Sequence, residues 1–166
     1  MSEPEPWLRG APPQDVHPLV APVFYSFAQV REDLTKHLAG LPCEDTWRPV
    51  AGGSLGFHIR HLGGSVERLT TYLMGGQLTE AQLASLRCES EPGEDLSQVL
   101  EKMNTQLARA EQRLRTIDPA TIYDSRTVGR RALPTTVIGL LVHICEHTQR
   151  HLGQAIEIAK MLRGKP

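Results

Sequence analysis

The chain has no basic block, no Cys-x-x-Cys pair and no long apolar run. Each absence argues against a class of function. Binding to nucleic acid by counter-ion release needs a clustered positive face. Here the formal net charge is -1, and basic residues come only in short pairs such as Arg130-Arg131, so no nucleic-acid partner is expected. The three cysteines, Cys43, Cys88 and Cys145, are odd in number and widely separated. They suit thiols kept reduced in a cytoplasmic setting better than a disulfide framework. No apolar stretch approaches the ~20 residues that a transmembrane helix needs, so no membrane partner is expected. The first residues, with Glu3, Glu5 and several prolines, do not read as a signal peptide. There is also no strand-like alternation, internal repeat or low-complexity segment.

What is present is helical periodicity. At 166 residues the chain reads as one domain. That length can bury a core without disulfides or a structural metal, so a metal site would call for a functional reading. Residues 1–14 are rich in proline and polar groups and read as a flexible N-terminal arm; residues 15–166 carry the domain. Val16, Val20, Val23, Phe27, Val30, Leu34 and Leu38 recur three or four apart and form one helix face. Pro18 and Pro22 suit its first turns or delay its regular start. Gly40 and Pro42 end it. A connector over 41–53 holds Trp47, Pro49 and the Gly52-Gly53 pair, after which Ser54 is placed to cap a second helix. Leu55, Ile59, Leu62, Val66, Leu69 and Leu73 make the seam of that helix, and Gly75-Gly76 stops it. A short helix over Thr79 to Leu86 follows, with Thr79 as a cap, and Glu91-Pro92-Gly93 breaks it. Leu96, Leu100, Met103, Leu107, Ala110, Leu114 and Ile117 repeat the seam in a third long helix with a charged outer face. Residues 118–134 read as an irregular connector. Pro134 and Thr135 open a fourth long helix, reaching about Leu162. The expected fold is all-α, a four-helix bundle. Its long connectors admit crossover connections.

Five of the seven histidines fall in two short stretches, His58-Ile59-Arg60-His61 and His143 to His151. Residues four apart share a helix face, so His147 and His151 can offer nitrogens to one ion. A third ligand from another helix would leave open positions, as in catalytic zinc sites. At ~100° per residue, His147 and His151 lie within roughly 20° of Leu140 and Ile158, on the flank of the buried stripe. His143 lies further round. In the second helix the same geometry leans toward His58 rather than His61. Histidines so spaced also occur as boundary residues with exposed tips, but a ladder of three with a second cluster in another helix favours a metal site. His17 and His37 lack such company and read as surface residues. The run His143-Ile-Cys-Glu146-His147 also matches the H-x-x-E-H pattern of inverted zinc peptidases, but the chain lacks their α/β context. Cys145 reads as a buried, inert thiol.

Two segments together resemble a known family. His147-Thr-Gln-Arg-His151-Leu-Gly153-Gln154 is close to the H-x-x-x-H-x-G-Q ending of the DinB/YfiT-like superfamily of metalloenzymes. Trp47-Arg48-Pro49 followed by Ser54-Leu-Gly-Phe-His-Ile-Arg-His61-Leu, with Glu67-Arg68 after it, is similar to that family's tryptophan-proline connector and histidine-bearing second helix. The resemblance spans roughly residues 15–162. It implies a four-helix bundle of crossover topology and a divalent metal, zinc or nickel, held by His61, His147 and His151. On this register the second-helix ligand is His61, with His58 an auxiliary ligand or neighbour. Leu152 stands where the family often carries arginine, which changes the pocket lining but not the ligands. The resemblance further implies a metal-dependent transferase or hydrolase acting on a small molecule, in some relatives with a low-molecular-weight thiol as the attacking group. Glu67, Glu146 and Gln154 are candidates to fix histidine tautomers by hydrogen bonding, although Glu146 reads better as an exposed helix residue. The alternative is a non-catalytic helical interaction protein, working alone or as a homodimer, in which the histidines are structural.

Overall fold

The computed structural model describes residues 3–10, 13–50 and 53–164. Gly52 of the Gly52-Gly53 pair, and residues 1, 2, 11 and 12 of the N-terminal segment, lie outside the described residues. Among the described residues five α-helices predominate: α1 (Ala21–Leu38), α2 (Leu55–Leu73), α3 (Glu80–Arg87), α4 (Leu96–Leu114) and α5 (Val137–Leu162). A hairpin of β1 (Ser125–Val128) and β2 (Leu133–Thr136) precedes α5. No helix among the described residues is long and apolar enough to cross a membrane.

The helix starts follow from side-chain capping. A first-turn N–H has no partner within the helix, and in four of the five helices a side-chain oxygen accepts from one. Ser54 accepts from the Phe57 N–H, and Thr136 from that of Gly139. Thr79 with Gln82, and Asp95 with Gln98, form reciprocal capping boxes. The first helix begins later than its apolar periodicity suggests. Val16 and Val20 are buried, but they lie in the turns before Ala21, and Pro22 occupies the first helical turn, where its missing N–H costs nothing.

The four long helices bury their seams against one another. Val23, Phe27, Val30 and Leu34 of α1, Leu55, Ile59, Leu62 and Val66 of α2, Met103, Leu107 and Leu114 of α4, and Leu140, Ile144 and Ile158 of α5 share one core. Helix α2 packs along both α4 and α5, and α1 packs along α5 with a lesser contact to α4. Two glycines permit close approach. A Cβ at Gly56 would lie 2.8 Å from the Trp47 ring, and one at Gly63 would lie 3.0 Å from the Met103 Cα.

The hairpin corrects the reading of 118–134 as irregular and of the chain as free of strands. Thr127 pairs with Pro134 and Ser125 with Thr136. The strands are four residues each, one contains a proline, and Leu133 on β2 is exposed, so no alternation of apolar residues marks them. Gly129 (φ 71°) and Ala132 (φ 48°) carry the left-handed backbone of the turn. Pro134 and Thr135, expected to open the last helix, belong to β2; Thr136 is the cap.

Candidate metal centre

The histidines meet where α2 crosses α5. One nitrogen each from His61, His147 and His151 lies within 4.8 Å of the others. His61 Nε2 and His147 Nε2 face each other at 3.0 Å. Two nitrogens that each sit ~2.0–2.1 Å from one ion, at 90–109° to one another, are roughly 2.9–3.4 Å apart. The pair is therefore already at ligand spacing. The ring centroids of His61 and His147 lie 4.5 and 4.6 Å from that of His151. His147 Nδ1 is buried with no hydrogen-bond partner, so the ring's one observed polar contact is at Nε2. The donor set fits a divalent ion that accepts imidazole.

Two of these rings are backed from behind. His151 Nδ1 lies 3.0 Å from His58 Nδ1, which leaves His151 Nε2 for an ion. His61 Nδ1 lies 2.6 Å from Glu89 Oε2. Phe57 stacks on His61, with centroids 5.5 Å apart, and meets His58 and His151 edge-on.

The electrostatics favour neutral rings. Burial, reinforced by the neighbouring His61 and His143, pushes the His147 pKa down to about 4. Burial, with His61, His147 and His58 close by, pushes that of His151 down to about 3. Both rings are then uncharged at neutral pH and keep a lone pair for coordination.

The remaining histidines divide as follows. His58 is the more deeply buried of the two on α2, at 2% exposure, in keeping with its place near the apolar seam. It stands behind His151, outside the trio. His143 is exposed and hydrogen-bonds Glu146 through Nδ1 at 2.7 Å. His143, Glu146 and His147 also approach one another closely, on the exposed side of α5. His17 is exposed and accepts from the Leu19 N–H, while His37, expected at the surface, is half-buried near the end of α1.

Glu67 and Gln154 are not seen orienting the ligands, and Glu146 is an exposed helix residue, as the sequence favoured. Glu67 accepts from Gln106, Glu146 pairs with His143 and Arg150, and Gln154 is exposed on a cleft. Glu89, in the connector between α3 and α4, contacts His61 instead, and the sequence reading missed it. It belongs to an acidic, proline-broken segment with no periodicity to mark it. The signal that existed lies on α2, where Arg60, Gly64 and Arg68 recur every four residues beside a helix seam. A buried arginine calls for an acidic partner.

Cys145 is partly buried, and burial pushes its thiol up to about 11. It is poorly suited to act as a nucleophile. A cleft of about 420 Å³, lined by His58, Gln149, Arg150, Gly153, Gln154 and Glu157, opens beside the centre. A second cleft of about 470 Å³, lined by residues such as Glu94, Glu101, Lys102 and Arg109, shares no residue with the histidines.

No curated protein matches the chain in sequence. The family model of the DinB superfamily matches residues 26–155. That span runs from the first turns of α1 to the Gly153-Gln154 ending and includes every histidine of the centre.

Proposed function

The chain belongs to the DinB superfamily, and from that membership we propose that it binds a divalent metal through His61, His147 and His151 and acts as a metal-dependent enzyme on a small molecule. We assign the crossover bundle topology of the resemblance along with it. The packing supports this, because α1 and α2 follow each other in the chain yet each packs mainly on α5 or α4. The observation that carries the functional reading is the 3.0 Å approach of His61 Nε2 to His147 Nε2 with His151 beside them. Two imidazoles from one helix and one from another, with the remaining positions open, match the pattern of catalytic rather than closed structural sites. Zinc and nickel, both of which accept imidazole, are the metals we favour because the family resemblance implies them.

When bound, such an ion supplies Lewis acidity, which makes a water or thiol nucleophilic at neutral pH. The chain's own residues do the rest. His147 and His151 donate lone pairs without first losing a proton, because burial keeps them neutral. Phe57 stacks on His61 and meets His151 edge-on, which holds these two rings in place. The cleft beside His58 offers Gln154 and Arg150 to the polar groups of a substrate. We infer a transferase or hydrolase reaction, with a low-molecular-weight thiol as the attacking group in the transferase case. Elemental analysis of the purified protein and of His61→Ala, His147→Ala and His151→Ala tests the assignment. Wild type should carry about one divalent ion per chain and each variant much less. Full retention of metal in all three variants would refute it.

A further inference from the structure

Helix α2 does more than present His61. Arg60, Gly64 and Arg68 recur every four residues and so share one face of the helix. That face is turned to the segment between α3 and α4. Arg60 donates through Nη1 to the carbonyl oxygens of Cys88 and Glu91, at 2.9 and 2.7 Å, and pairs with Glu94 through Nη2. Its guanidinium lies 4.2 Å from the centre of the Trp47 ring, whose indole N–H donates to the Glu94 carbonyl. The connector is thereby pinned along its length. Arg68 donates to Glu89 Oε1, and both side chains are more than nine-tenths buried. Gly64 makes the room: a Cβ there would lie 2.6 Å from Glu89 Oε1 and 2.8 Å from Arg68 Nη1. Each oxygen of the Glu89 carboxylate has one partner in this arrangement, Arg68 at Oε1 and His61 Nδ1 at Oε2.

We propose that Glu89 is the positioning residue of the metal centre, fixing His61 as the Nδ1–H tautomer so that Nε2 presents its lone pair, with Arg68 and Gly64 holding the carboxylate in place. A carboxylate only accepts, so the proton of the His61–Glu89 bond sits on Nδ1. A carboxylate behind a ligating histidine fixes the orientation of the ring and raises the basicity of its other nitrogen. The geometry does more here than orient one ring. The carboxylate comes from a connector, so the α3–α4 segment becomes part of the centre although none of its residues is a ligand. The proposal rests on the assignment of His61 as a ligand.

The test combines a tautomer measurement with metal affinity. Long-range ¹H–¹⁵N correlation spectra of the metal-free wild type should show His61 protonated at Nδ1. Zinc affinity, measured by chelator competition, should fall roughly 10- to 100-fold in Glu89→Ala. It should be partly restored in Glu89→Gln, whose amide oxygen still accepts from Nδ1. Should Glu89→Ala not fold, because it strands the Arg68 charge, Arg68→Met with Glu89→Ala removes that charge and is expected to show the same loss of affinity. A metal-free His61 protonated at Nε2, or a folded Glu89→Ala that binds zinc within twofold of wild type, overturns the proposal while leaving the ligand set standing. A His61→Ala variant that binds zinc as wild type does overturns the ligand assignment, and this proposal with it.

Discussion

Gly63→Ala reverses the usual sign of a helix substitution. Gly63 lies in the interior of α2, where alanine is intrinsically favoured by about 1 kcal/mol. Judged on propensity alone the change should stabilise. The packing says the opposite. A Cβ at Gly63 would sit 2.3 Å from Gln106 Oε1 and 3.0 Å from the Met103 Cα. Gln106 can swing away, at the loss of its 3.2 Å hydrogen bond to Glu67. The Met103 backbone cannot move without separating α2 from α4. Inserting a methyl into such a contact costs roughly 1–3 kcal/mol, and the upper end applies where backbone must move. The net expectation is a loss of about 2 kcal/mol, or roughly 4–8 °C in melting temperature for a chain of this size. Gly153→Ala is the matched control: it is also helical, but its Cβ would meet nothing within 4 Å. It should gain up to about 1 kcal/mol. Thermal and urea melts followed by circular dichroism, at one protein concentration, read both. A Gly63→Ala variant as stable as wild type or more so would refute the close crossing of α2 and α4.

Other expectations follow from individual groups. Arg68→Met leaves the Glu89 carboxylate buried without its guanidinium and should cost about 3–5 kcal/mol in urea melts, whereas Arg68→Met with Glu89→Gln should recover most of that. Cys43 and Cys88 are exposed, and Cys145 has its thiol pushed up to about 11; a thiol reagent at pH 8 should therefore label the first two quickly and Cys145 mainly after unfolding. His147 and His151 have folded pKa values of about 4 and 3, below the unfolded value of 6.5, so the unfolded state takes up protons first as pH falls. Metal-free stability should then be full above about pH 6.5 and decline toward pH 4, by well under ~1.4 kcal/mol per pH unit per ring, because both rings are partly solvated and share charge. Flat stability between pH 7 and 4.5 would argue that these rings are not held neutral.

The sequence exposes the long helices clearly because each presents a complete apolar seam. Leu55, Ile59, Leu62, Val66, Leu69 and Leu73 are all buried, as are Val23, Phe27, Val30 and Leu34. The hairpin is hidden because its stability comes from backbone pairing over four-residue strands, which leaves no periodic trace in the side chains. On α2 the periodicity points to His58 and the family register to His61, and both turn inward. His58 follows the apolar face and ends behind His151. His61 sits one helical step aside, where a polar wall replaces the apolar one. That wall contains Glu89, whose position depends on where Arg60 and Arg68 pin a loop. Such a contact links residues 28 apart through tertiary structure, and no local pattern encodes it.

The central claim is that His61, His147 and His151 together hold one divalent ion. Cobalt substitution tests it directly, because the intensity of the visible absorption bands reports coordination number and their position reports the ligand atoms. The metal-free protein titrated with cobalt should saturate at about one equivalent, with a spectrum of nitrogen ligation and open positions that is lost on His147→Ala or His151→Ala. A titration that shows no saturable binding, or one unchanged in both variants, would contradict the account.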